Sequence, residues 1–258
     1  MNQAKQRGSI ILQVAILFVF SVLVTGCLTW FTEQSLSGDS VTKQTELYAS
    51  QISDEVECSV KEYPAYEWLL QYWYDHADAM NIDYDEDFTA DSMTASKCRL
   101  LLQRQPTLNL EYATAADLEK LPEADQKLYA EISYSWLITR LDQIKQAYQI
   151  DYLFCIMTQE PYDSQFFLFS AADPGAVRGT EYEQVYPLGH TVSVSESQRN
   201  AMRRARENAS HLAAAGDYMD YYANFCELDG RTVLIGMTYN LSDLRADMKT
   251  QSRTDTAI

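Results

Sequence analysis

The sequence is poor in the two residues that break regular structure: glycine occurs 9 times and proline 6 times in 258 residues. That scarcity excludes a collagen-like, linker-like or low-complexity chain and favours long helices. Positive charge is also scarce. Twenty Lys and Arg stand against 37 Asp and Glu, a formal net charge of −17, so a basic surface for nucleic-acid phosphates is not expected. There are three histidines, His76, His190 and His211, none four residues from another, and no helical zinc pair is present. CxxC, P-loop, GxGxxG and GxSxG motifs are absent. Asp83, Asp85 and Asp87 imitate the start of a calcium loop, but Phe88 stands at its glycine and Thr94 at its bidentate glutamate, so a solvated acidic loop is expected. With no nucleophile–base constellation legible, the expectation is a non-enzyme without metal or cofactor.

What the sequence does have is an uncharged run at residues 9–31, SIILQVAILFVFSVLVTGCLTWF. As a helix it would span roughly 35 Å, enough for a hydrocarbon core of about 30 Å. Lys5 and Arg7 precede it, and the first charges after it are Glu33 and Asp39. The positive-inside bias then puts residues 1–8 in the cytoplasm, makes 9–31 a single-pass cell-membrane anchor, and places 32–258 outside. Two rival readings stand beside the anchor. Val24-Thr25-Gly26-Cys27 imitates a lipoprotein processing site, and a cleaved secretory signal is the other. Four further cysteines, Cys58, Cys98, Cys155 and Cys226, allow three disulfide pairings. Their wide spacing and the apolar setting of Cys155 favour free, buried thiols.

Length allows one large domain or two small ones. Residues 39–62 repeat apolar positions at Val41, Tyr48, Ile52, Val56 and Val60, one face of a helix ended by Pro64. That helix is an ordinary core helix, a rod to the membrane, or a homodimer seam. An aromatic amphipathic helix follows at 65–80, another at 95–105, a short strand by alternation at 108–112, and a long helix at 123–149 after Pro122. The texture then changes to paired strands at 151–158 and 165–171 and a further strand at 190–194. Ser193 with Glu196, or Ser195 with Gln198, offers a capping box for a helix through about 212. Asp229-Gly230 joins strands 217–227 and 231–239 in a type I′ hairpin. The expected fold class is α+β: a helical part over 39–149, and an antiparallel sheet of about five strands over 150–250 with helices on one side. The arginines at 199, 203, 204 and 206 read as a solvated helix face paired with acids.

The order from about 123 to 250 resembles the Cache/PAS-like extracytoplasmic sensor domains of bacterial membrane receptors. The long helix, the strand pair 151–171, the loop and helix between, and the closing segment GDYMDYYANFCELDGRTVLIGMTYNLSDL (216–244) carry the likeness. The resemblance implies a ligand-binding signal-transduction receptor whose pocket lies between the sheet and the 172–192 loop. It makes Asp173, Arg178, Tyr182, Tyr186, His190 and Asp220 the candidate ligand-binding residues. Arg178 would grip a carboxylate, Asp173 or Asp220 an ammonium group, the tyrosines would form walls, and His190 would confer pH sensitivity. The competing reading is that the tyrosines only pack the loop and Arg178 is solvated. An amino-acid signature of some members is not carried over, because Gln71 stands where an arginine precedes Trp73-Tyr74. Residues 241–258 contain no second membrane run or catalytic module, so the output module is expected to be missing from this chain. The alternative function is an accessory interaction subunit, or a lipoprotein, that binds a partner membrane protein.

Overall fold

The computed structural model describes residues 45–84, 86, 89–171, 186–206, 211–215 (backbone) and 218–240. The chain divides into a unit spanning 1–45 and a unit spanning 46–258; the fold below is that of the second. Its helices are residues 45–61 (α1), Tyr66–His76 (α2, continued by a 3-10 turn Ala77–Ala79), Met93–Arg104 (α3), Ala115–Leu118 (α4), Glu123–Tyr148 (α5) and Glu196–Arg206 (α6). Its strands are Tyr152–Thr158 (β1), Ser164–Ala171 (β2), Thr191–Ser193 (β3), His211–Ala215 (β4), Tyr218–Leu228 (β5) and Arg231–Asn240 (β6). They form one antiparallel sheet of six strands, ordered β3-β2-β1-β6-β5-β4.

Hairpins set this order. Asp229 and Gly230 both take positive φ, 46° and 75°, the backbone a type I′ turn needs, and β5 and β6 pair from Leu228↔Arg231 outward. The central strands β1 and β6 are buried on both faces, which corrects the expectation of helices on one side. One face packs Leu153, Cys155, Met157, Phe169, Ile235 and Met237 against α1, α2 and α5. The other packs Phe154, Ile156, Phe167, Tyr222 and Leu234 against Ala201, Met202 and Ala205 of α6. Double burial is why β1 reads as a continuous apolar run instead of an alternation.

In the helical layer, Ala49, Ile52, Val56 and Val60 carry α1 onto the core, whereas Tyr48 is half exposed. The Trp73 indole N–H donates to the Ala130 carbonyl at 3.0 Å, and its ring meets Tyr134 edge-on at 5.3 Å. That contact locks α2 to the middle of α5. The expected strand at 108–112 is a turn, because the Asn109 side chain accepts the Glu111 N–H at 3.0 Å. The acidic loop before α3 has a structural task. Glu86 accepts the Thr94 backbone N–H at 2.6 Å and its hydroxyl, while Ser92 accepts the Ala95 N–H. Burial works against ionisation of Glu86, yet hydrogen bonds from Ser92 and Thr94 hold its carboxyl below the usual range. Asp85 and Asp87 lie outside the described residues. The four described cysteines are unpaired, but only Cys155 is buried; Cys58 is exposed. Burial pushes the Cys226 thiol up to about 11 and raises Cys155 as well, so both stay protonated and unreactive at neutral pH.

α5 ends at Gln149, which takes the left-handed φ 52°, ψ 45°. The Ile150 N–H then reaches the Lys145 carbonyl at 3.1 Å, closing a Schellman motif. Left-handed backbone costs a non-glycine residue roughly 1 kcal/mol. The substitution Gln149→Gly is therefore expected to raise the unfolding free energy by about 0.5–1 kcal/mol in urea denaturation.

Among the described residues no helix is long and apolar enough to cross a membrane. Residues 9–31, with Cys27, lie outside them.

Candidate functional site

The face of the sheet toward α6 carries a cavity of about 260 Å³. Alternation decides which side chains reach it, since every second residue of a strand points to the same face. On β5 these are Tyr218, Asp220 and Tyr222; on β1, Tyr152 and Phe154; on β2, Gln165 and Phe167; on β6, Thr238. Val192 and Ser193 of β3, Gln198 of α6 and Tyr186 close the sides. Gly236 makes the floor possible. It sits between Phe154 and Tyr222 in register, and a Cβ there would lie 2.0 Å from Phe154 Cε2. Only glycine lets the Phe154 ring lie flat over β6.

Asp220 lies on the cavity floor at 6% exposure. Its Oδ1 accepts from the Thr238 hydroxyl at 2.8 Å, directly across the β5–β6 pair, and its Oδ2 accepts from Gln198 Nε2 at 3.1 Å. Gln198 is aimed by its own helix. Its Oε1 accepts the Ser195 N–H at 3.0 Å and its N–H donates to Ser195 Oγ at 3.3 Å, the capping box of α6. The cap fixes the amide so that its NH₂ faces Asp220. Burial outweighs these two hydrogen bonds and raises the Asp220 carboxyl above its ordinary range. Among the described residues no Lys, Arg or His forms an ion pair with it.

Beside it, Gln165 Nε2 donates to the Tyr222 hydroxyl at 2.8 Å and contacts Met202 Sδ at 3.6 Å. Both amide hydrogens are thereby engaged, and among the described residues no group donates to Gln165 Oε1. Burial also raises the Tyr222 hydroxyl, so it stays protonated. The walls are aromatic. Tyr186 packs on Phe167 at 4.7 Å and stacks on His190 at 4.4 Å, 3° from parallel. The arrangement offers a buried acceptor set surrounded by π faces.

Of the residues singled out from sequence, Asp220 and Tyr186 line the cavity, and His190 stands behind Tyr186 as its stacking partner. Asp173, Arg178 and Tyr182 lie outside the described residues. Sequence reasoning missed Tyr152, Gln165, Gln198, Tyr218 and Thr238. The triplet Tyr218, Asp220, Tyr222 at every second position was the available signal on β5. Arg203, Arg204 and Arg206 of α6 are exposed, and Arg206 pairs with Glu160 at 3.3 Å and with Glu227 at 3.2 Å; Arg199 departs from the expected solvated face, being half-buried with no partner for its Nε among the described residues. A second cavity, about 250 Å³, lies between α2 and the start of α5, lined by Tyr72, His76, Glu123 and Lys127. It has groups of both signs and no buried acid. Among the described residues no group of three metal-ligating side chains occurs. Neither protein-family models, nor curated proteins, nor solved structures give a match to this chain.

Proposed function

We propose that the chain is a membrane-anchored, extracytoplasmic ligand-binding domain of a bacterial signal-transduction receptor, a sensor and not a catalyst. The observation that carries this reading is the cavity between the sheet and α6, with a buried carboxylate on its floor and tyrosines around it. It stands beside Tyr186 and β3, where the Cache/PAS-like resemblance implies a ligand. A carboxylate kept in a cavity with no counter-charge among the described residues is a cost to folding, and such a cost is typical of binding sites. The anchor at 9–31 supports the extracytoplasmic reading through its flanking charges.

A thermal-shift screen of the full chain in detergent against amino acids, amines, short carboxylates and nucleobases tests it. At least one class is expected to raise the melting temperature in a saturable way. A flat response to every class would contradict the reading. The orientation has its own test: protease added to intact spheroplasts is expected to digest the body of the chain.

Leu47 and Tyr48, 62% and 50% exposed on α1, favour a second reading in which this helix meets a second copy or a partner membrane protein. Under it, Leu47→Glu converts a detergent-solubilised dimer or complex to monomer in sedimentation, with the cavity unaffected.

A further inference from the structure

The polar atoms of the cavity are unequally satisfied. The amide nitrogens and the Thr238 hydroxyl around Asp220 are engaged: Gln198 Nε2 on Asp220, both Gln165 hydrogens on Tyr222 and Met202, and the Thr238 hydroxyl on Asp220. The acceptors are not. A carboxylate can take about four hydrogen bonds, and Asp220 receives two from the described residues. Gln165 Oε1 receives none from them. A ligand completing Asp220 and Gln165 Oε1 must supply hydrogen-bond donors, while the hydroxyls of Tyr218, Tyr222 and Ser193 in the lining can take either role.

Charge points the same way. Asp220 is nearly inaccessible, and no basic side chain among the described residues lines the cavity or pairs with the carboxylate. A buried carboxylate without a counter-ion is costly, and an entering cation removes that cost. An entering anion would add to it. The walls complete the match, because Tyr152 and Tyr218, 6.5 Å apart, frame the Asp220 end. Tyrosine faces attract a desolvated cation and cover its alkyl or aryl body. At about 260 Å³ the cavity lies just below the usual range of about 300–1,000 Å³, which fits a small metabolite and not a peptide.

We propose that this cavity takes a small organic ammonium ion, its nitrogen seated on Asp220 between the Tyr152 and Tyr218 rings. The inference rests on the reading of the cavity as a ligand site and specifies its chemistry. The ammonium group is shared by two sources, simple amines and amino acids, which differ in the carboxylate that an amino acid also brings.

Calorimetric titration of the full chain in detergent with matched probes separates these possibilities. Phenethylamine, agmatine and choline represent amines; L-phenylalanine, the amino-acid source; phenylacetate and 2-phenylethanol, the anionic and neutral isosteres. Saturable binding by an amine or the amino acid, at least tenfold tighter than either isostere, is the expected result. Asp220→Asn is expected to weaken it more than about 30-fold. Tyr218→Leu, at a position 36% exposed and so mild for folding, is expected to weaken it about 3- to 30-fold. Should Asp220→Asn fail to fold, the Tyr218 variant and the isostere comparison still decide. Equal or tighter binding of phenylacetate or 2-phenylethanol overturns the cation inference and leaves the sensor reading standing. Absence of binding by every probe class overturns both.

Discussion

Glu131→Gln is expected to destabilise the fold by about 3–5 kcal/mol, the cost of stranding a buried ammonium. Glu131 lies on α5 with its side chain 3% exposed, and Lys97 of α3 meets its Oε2 at 2.8 Å with 10% exposure. The same carboxylate accepts the Asn81 backbone N–H at 2.7 Å, and Lys97 also donates to the Asn81 carbonyl. Lys127 approaches at 3.8 Å. One ion pair therefore ties α3, α5 and the segment after α2 together. The amide keeps an acceptor for Asn81 but removes the one carboxylate within ion-pair distance of Lys97 among the described residues, leaving it only the longer-range field of Glu86. For a unit of this size the loss corresponds to a fall in melting temperature of roughly 6–20 °C. The double variant Lys97→Met/Glu131→Leu is expected to recover part of the loss, since no charge is then buried. It does not recover all, because the Asn81 N–H and carbonyl exchange their partners for water at this exposed residue, at about 0.5–1.5 kcal/mol each. Calorimetric melting of the three variants checks the order: wild type, then double, then single.

The second large effect is expected at Gly236. Gly236→Ala places a methyl group 2.0 Å from Phe154 Cε2, a distance no carbon pair tolerates. The ring must leave its place over β6. Its neighbours there are Phe167 at 5.4 Å and Tyr222 at 6.3 Å, and the open direction is the cavity. Overpacking of this kind costs about 1–3 kcal/mol. Alanine's better fit to a strand offsets only a fraction of it. The variant should lose stability, and its cavity should be filled by its own phenylalanine. Any ligand stabilisation seen with wild type should disappear. Adding Phe154→Leu to the alanine variant is expected to restore melting temperature, because the shorter side chain clears the methyl. Failure of that rescue would show that the strand backbone, not the ring, resists the substitution.

Much of the architecture was legible because its signals are local. The α5 helix, the β1–β2 pair and the Asp229-Gly230 hairpin are each written in a few adjacent residues. What was not legible depended on partners distant in sequence. His211–Ala215 carries no β-branched residue and reads as the tail of α6, so the expected helix ran to about 212. It is a strand because β5 offers it five paired positions, a tertiary decision over local propensity. The alternation at 108–112 was misleading because one Asn side chain makes a turn there. Tyr48 shares the spacing of the buried α1 positions yet faces outward, and Ala49 takes the inward place.

The site shows the same division. Asp220 and Tyr186 were named because a polar or aromatic residue in the expected loop or hairpin draws attention. Phe167 and Gln165 were not, because a shift of register between Cys155 and Ile156 decides which β2 residues face α6. No periodicity reveals such a bulge. Gln198 was recognised only as a helix cap. Its second bond, to Asp220, needed β5 in place.

The account rests on Asp220 being held for a ligand against the interest of folding, and its most direct test is the melting temperature of Asp220→Asn as a function of pH. The asparagine can keep both hydrogen bonds, accepting from Gln198 and donating to a rotated Thr238 hydroxyl. Because the folded state raises the Asp220 carboxyl, its contribution to stability is full below the unfolded value of about 3.9 and is lost as pH rises through the folded value. The variant should therefore melt above wild type at pH 7, with the difference vanishing near pH 3.5, and should no longer respond to compounds that stabilise wild type. A variant that melts below wild type at pH 7 would make the carboxylate a structural member of the sheet, and the central claim would fall.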